Sequence, residues 1–153
     1  MSIDIDALGD RFDSTFFTLI QNLGPQLILR AGLGLTPGQV FVLHFIDQQG
    51  HCSVSNLADK MEVNPSAITV MLDRLESHHF VVRSRNQTDR RVVTVSVTDE
   101  GKTALAKVMK ARKKIMLYCL SQLPDKELNA LVESLENLAK VSSKLDIRVI
   151  LDS

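Results

Sequence analysis

Residues 81–101, VVRSRNQTDRRVVTVSVTDEG, constrain the fold more than any other stretch of the chain. Val93, Val95 and Val97 alternate with Thr94 and Ser96, the period of two expected of a half-buried strand. The segment reads as two short strands joined by a polar turn whose far side carries Asp89, Arg90 and Arg91. A tip with two arginines gains little by packing on its own protein. It suits a probe that reaches into a charged groove.

The 153 residues allow one modest domain with a real core. A hydrophobic content of 44% with 24% charged residues is ordinary for a soluble globular protein, and the apolar runs are too short to cross a bilayer. The start, MSIDIDALGD, carries acids where a signal peptide would carry bases, so the expected location is the cytoplasm, with no membrane partner. Eighteen basic and 18 acidic residues cancel, which by itself argues against non-specific nucleic-acid binding. Their distribution argues the other way. Asp4, Asp6, Asp10 and Asp13 crowd the start, while Arg83, Arg85, Arg90 and Arg91 face only Asp89 in their segment. Lys102, Lys107, Lys110, Arg112, Lys113 and Lys114 follow with no acid among them. Basic charge gathered in the second half is what an electrostatic footprint needs. A solvated helix face accounts equally well for the run 107–114.

Apolar spacing and capping signals place the remaining elements. Phe12, Phe16, Leu19, Leu23 and Leu27 predict a helix from about residue 5 to residue 30, kinked or broken at Pro25. Thr36-Pro37 opens a second helix with Val40, Leu43 and Ile46 inward, ending near Gly50. Residues 51–53 suit a short strand and 55–61 a short helix with Leu57 and Ala58 buried. Asn64-Pro65 opens the next helix, with Ile68, Leu72 and Leu75 on its inner face and Ser66, Val70, Asp73 and Ser77 on its outer face. Two helices joined at Glu62-Val63-Asn64 make a helix-turn-helix, followed at once by the strand pair. Thr98 caps a long helix to about Leu120. Pro124 starts the last, along which Leu128, Leu131, Leu135, Leu138 and Leu145 form a seam. The tail Ile147, Val149, Ile150, Leu151 is too apolar to stay uncovered.

This order predicts a mainly α (α+β) fold: a winged helix-turn-helix over residues 35–98, with N- and C-terminal helices, 1–34 and 99–153, forming a dimerisation region. The terminal apolar stripes exceed what a small central domain covers, and such seams mark subunit interfaces. A two-fold dimer presents two reading units to a pseudo-palindromic duplex with half-sites about 34–36 Å apart.

Other chemistry is missing. There is no phosphate loop, GxSxG or HExxH, so no enzyme is expected. His44, His51, His78 and His79 have no metal-ligand spacing, and neither a metal nor a cofactor is expected. His44 is a minor candidate for a polar group in a ligand cleft. Cys52 and Cys119 lack CxxC spacing and read as packed, reduced thiols rather than oxidant sensors.

Five motifs in order resemble the MarR family of winged helix-turn-helix transcriptional regulators, across essentially the whole chain. They are Leu35-Thr36-Pro37-Gly38-Gln39, Val54-Ser55-Asn56-Leu57-Ala58, Asp73-Arg74-Leu75-Glu76, Asp89-Arg90-Arg91 and Val97-Thr98-Asp99-Glu100-Gly101. The resemblance implies that Arg91 enters the minor groove and that Asp89 holds the wing in shape. It also implies an obligate homodimer, often with a small-ligand cleft between its DNA-reading and dimer-forming parts. Two positions depart from the family pattern: Val70 stands where many members have arginine, and His79 where glycine is common. Valine can touch a thymine methyl but makes no bidentate contact with guanine.

The expected function is a homodimeric, sequence-specific regulator of transcription that binds duplex DNA, a repressor relieved by a small-molecule effector. Ser66, Ala67, Thr69 and Val70 would lie near bases, with Arg74 and the wing on phosphates and the minor groove. Arg83 and Arg85 suit phosphate contacts or ion pairs with nearby acids equally. Arg90 and Arg91 would be the groove probes, braced by Asp89. The alternative is a winged-helix protein–protein adaptor without direct DNA binding, and steep salt dependence separates the two.

Overall fold

Local capping chemistry sets where the helices begin. The computed structural model describes residues 3–29, 32–85, 89 and 91–152. In chain order it contains α1 (Ile5–Leu29), α2 (Pro37–Gln49), β1 (Cys52–Ser53), α3 (Val54–Met61), α4 (Pro65–Ser77), β2 (Val81–Arg85), β3 (Val93–Val97), α5 (Asp99–Leu120), α6 (Asp125–Ser142) and α7 (Ile147–Leu151). The chain forms two compact units, residues 1–112 and 113–153, whose boundary lies within α5.

In the first unit α2 opens with a capping box. Gln39 N donates to Thr36 Oγ1 at 3.3 Å and Thr36 N donates to Gln39 Oε1 at 2.9 Å. Gln39 is buried, and this exchange satisfies its side-chain oxygen. Ser53 caps α3 by accepting from Asn56 N at 3.1 Å, and Asn64 caps α4 by accepting from Ser66 N at 3.0 Å. Each such cap contributes on the order of 1 kcal/mol.

The three helices α2, α3 and α4 close on Val42, Leu43, Ile46, Leu57, Ile68, Leu72 and Leu75, all fully buried. Burying each of these side chains contributes about 1.5–3 kcal/mol. The wing completes the core with Val81 and Val95. The short strand expected at 51–53 joins the two expected wing strands in one sheet, in the order β1-β3-β2, all antiparallel. Val95 sits between Cys52 and Arg83 in the register, and it is the most buried residue of β3. Of the expected alternation only Val95 stands out, since Val93 and Val97 are half-buried and so are Thr94 and Ser96.

A Schellman turn ends α4. Phe80 N donates to Leu75 O and His79 N to Glu76 O, both at 2.9 Å, with His79 at φ 59°. Thr98 ties this turn to α5: its hydroxyl donates to His79 O at 2.6 Å and accepts from Gly101 N at 3.0 Å. Gly101 packs so closely that an added Cβ would lie 2.1 Å from Phe80 O. From there Ala104, Leu105 and Val108 carry α5 into the core.

α1 is not broken at Pro25; the helix continues to Leu29. Proline removes one N–H, a loss that a 25-residue helix tolerates. Phe12, Phe16, Leu19 and Ile20 along α1 are each about half exposed.

The second unit is the end of α5 with α6 and α7. α6 stops at Ser142, short of the predicted seam residue Leu145. The hydroxyls of Ser142 and Ser143 bond back to the carbonyls of Ala139 and Lys140, each at 2.9 Å. Asp146 then caps the separate helix α7 through Arg148 N at 3.1 Å. Neither α6 nor α7 buries a residue, and the tail expected to pack, from Ile147 to Leu151, is exposed within this chain. No helix among the described residues is long and apolar enough to cross a membrane.

Candidate nucleic-acid interface

The geometry of α4 follows from its two ends. Glu62, at φ 52°, turns the chain out of α3, and Val63 N closes the turn on Ala58 O at 3.2 Å. Asn64-Pro65 then restarts the helix. With Ile68, Leu72 and Leu75 inward, the helical period sends Ser66, Ala67, Thr69, Val70, Asp73 and Arg74 to the outside, and all six are exposed. Two hydroxyls on this face are already engaged: Ser66 Oγ donates to Asn64 Oδ1 at 2.8 Å, and Thr69 Oγ1 donates to Pro65 O at 3.0 Å.

Beyond the shared core, one polar side chain ties the wing to this helix. From β2, Arg83 reaches Asp73 Oδ1 at 2.5 Å, Glu76 Oε2 at 3.7 Å and Thr69 O at 3.4 Å, all on α4. Its own backbone N–H donates to Glu76 Oε1 at 3.4 Å. Of the two alternatives left open by the sequence, the structure places Arg83 with nearby acids. The sequence does not mark Asp73 and Glu76 as its partners, because the pairing exists only once the wing folds back beside α4.

At the wing tip Asp89 makes an Asx turn. Its carboxylate accepts from Arg91 N at 3.0 Å and its carbonyl accepts from Val92 N at 3.0 Å. This holds the backbone of the turn while the Arg91 side chain stays exposed. Arg85 is exposed at the end of β2. Arg90 lies outside the described residues. Ser84 and Thr94 lock the strands across the hairpin, with their hydroxyls 3.0 Å apart. An open groove of about 460 Å³ runs between the start of α3, the start of α4 and the wing, and Ser53, Pro65, Thr69, Arg83 and Arg91 are among its lining.

Elsewhere the candidates separate. Cys52 is buried in the core, and burial pushes its thiol pKa up, which disfavours the reactive thiolate. Cys119 is exposed, contrary to expectation, because nothing in its own unit covers that face of α5. His44 is half-buried on α2, with its Nδ1 lacking a hydrogen-bond partner among the described residues. No cluster of three or more His, Cys, Asp or Glu residues able to hold a metal occurs among the described residues.

A three-helix core with a helix-turn-helix and an arginine-bearing hairpin invites comparison with known proteins. The model of the MarR family matches residues 35–93, from the start of α2 to the start of β3. The HTH-type transcriptional repressor MdtR of Bacillus subtilis is 39% identical over 124 residues, covering 80% of this chain and 80% of that protein. The chain belongs to the MarR family. Its relatives of that family are named as regulators of transcription rather than enzymes. Among solved structures, the YusO protein of Bacillus subtilis is 35% identical with a TM-score of 0.70, covering 94% of this chain and 100% of that one. A mutant MarR of E. coli complexed with operator DNA is 23% identical with a TM-score of 0.67, covering 90% of this chain and 99% of that one, a likeness of fold alone. The expected MarR-type winged helix-turn-helix, mainly helical with a small antiparallel sheet, is the fold observed.

Proposed function

We propose that this MarR-family chain is a homodimeric, cytoplasmic regulator that binds duplex DNA sequence-specifically and represses transcription. One observation carries the reading: an outward helix face free of contacts with its own core stands beside a hairpin whose Arg91 is exposed. A helix of this diameter fits the major groove, and an arginine on a narrow hairpin fits the adjacent minor groove. Ser66, Ala67, Thr69 and Val70 then lie at base edges. Arg74, Arg85 and Arg90 serve phosphates or the minor groove, and Asp89 braces Arg91. MdtR, the 39% identical relative, is named as a repressor, which supports the same sign here.

In this reading residues 35–98 form the DNA-binding part, and residues 1–34 and 99–153 supply the helices that join two copies. The apolar side chains left uncovered on α1, and separately on α6 and α7, support that division. A small ligand that favours a dimer with unsuitable half-site spacing would release the operator. The decisive experiment is a gel-shift titration at several salt concentrations. Affinity of the native protein for a duplex recovered by selection falls steeply with salt. Arg91→Ala weakens binding and makes the salt slope shallower; an unchanged affinity and slope would refute the wing's role.

A further inference from the structure

The reading surface of α4 carries a chemical bias. Val70 lies at the centre of its outer face, opposite Ile68, Leu72 and Leu75, and is 62% exposed. A single exposed valine means little by itself. Its surroundings give it meaning. From Pro65 to Met71 the helix holds no side-chain N–H at all. The two hydroxyl protons flanking Val70 are spent inside the helix, on Asn64 Oδ1 and Pro65 O. Within that stretch what remains to face outward is methyl groups and oxygen lone pairs, and the side-chain N–H groups nearest to it are those of Asn64 and Arg74 at its two ends.

That set matches one kind of base pair. Guanine presents two acceptors to the major groove, N7 and O6, and needs donors. Adenine presents the N6 amino donor, which a hydroxyl oxygen accepts, and its partner thymine presents a C5-methyl, which the γ-methyl groups of valine contact. Asn64 does not restore a bidentate adenine contact, because its carbonyl oxygen already accepts from Ser66 N and Ser66 Oγ. We propose that α4 reads A·T pairs through shape-matched methyl contact, with Val70 seated on a thymine methyl and guanine excluded at that position. This rests on the placement of α4 in the major groove proposed above.

The experiment removes one methyl. Duplexes are first recovered from a randomised library with the full-length protein. Each thymine of the recovered half-site is then replaced singly by deoxyuridine, which keeps every hydrogen-bonding group and loses only the C5-methyl. One position is expected to lose about fourfold in affinity, the factor that burying a methyl-sized group corresponds to. With Val70→Ala that loss disappears, in the manner of a double-mutant cycle. Alanine is the stronger helix former and Val70 is exposed, so this variant keeps its fold. Salt-sensitive duplex binding with no deoxyuridine effect anywhere, or with an effect that persists in Val70→Ala, overturns this inference and leaves the proposed function standing. Absence of binding to any duplex at low salt overturns both.

Discussion

His79 holds the left-handed conformation that the end of α4 demands, at φ 59°. A side chain there costs about 1–2 kcal/mol, part of which glycine returns as greater freedom of the unfolded chain. His79→Gly is therefore expected to gain about 1 kcal/mol, read as a higher urea midpoint at unchanged slope. Gly101 shows the opposite constraint. Its missing Cβ would meet Phe80 O at 2.1 Å and Val97 Cγ1 at 2.7 Å, and the first of these is backbone that cannot swing away. Gly101→Ala is expected to cost about 3 kcal/mol or more by the same measurement. Cys52 adds a pH signature. Burial raises its pKa in the folded chain above that of the unfolded one. Below the unfolded value, near the ordinary cysteine range, both states keep the proton and the contribution to stability is intact. Above it the unfolded chain ionises first, so stability falls as pH rises toward the folded value. Replacing Cys52 with alanine should flatten that alkaline decline in urea titrations carried across the range.

At the level of elements, the wing and α4 act together because Arg83 joins them. Asp73 is more than half exposed, so its pair with Arg83 adds at most about 1 kcal/mol to stability. Its larger effect is expected on recognition. Asp73→Asn should leave the urea midpoint nearly unchanged while lowering operator affinity in gel shifts, since the hairpin then samples more orientations. An equal loss in both measurements would count against a positioning role. This clamp also marks how far the sequence could be read. α2 and α4 were legible because their caps, Thr36 and Asn64, act within three residues, whereas the Ser53 cap of α3 was not read from the sequence. The hairpin was legible because Val93, Val95 and Val97 carry their own period. What depends on folding back was not. Arg83 chooses between phosphate and carboxylate only when Asp73 and Glu76 arrive beside it. The short strand at 51–53 could be read, but its pairing could not, because only the fold brings β3 beside Cys52 and Ser53. Leu145 continues the seven-residue repeat from Leu138, yet two serine hydroxyls bonding back to the helix end α6 before reaching it.

For the whole molecule, the uncovered apolar surface argues for a second copy. Phe16 on α1 stacks on Phe12 with ring centroids 5.7 Å apart and remains about half exposed. Phe16→Glu should turn a dimer into monomers by sedimentation equilibrium without loss of the core, which contains neither ring. Operator affinity should fall with it, because a single reading unit gives up half of the contacts. Sedimentation of the native protein as a monomer at micromolar concentration would remove the basis for a two-fold operator. One further consequence follows from where the wing is anchored. Arg83 and Thr98 grip the hairpin at its root, while toward the tip the described side-chain bonds are those of the Ser84–Thr94 pair and the Asp89 turn. No described residue between Arg85 and Val93 belongs to the core, so the tip can be exchanged without disturbing it, and descendants of this chain can acquire new genomic addresses while inheriting an unaltered scaffold.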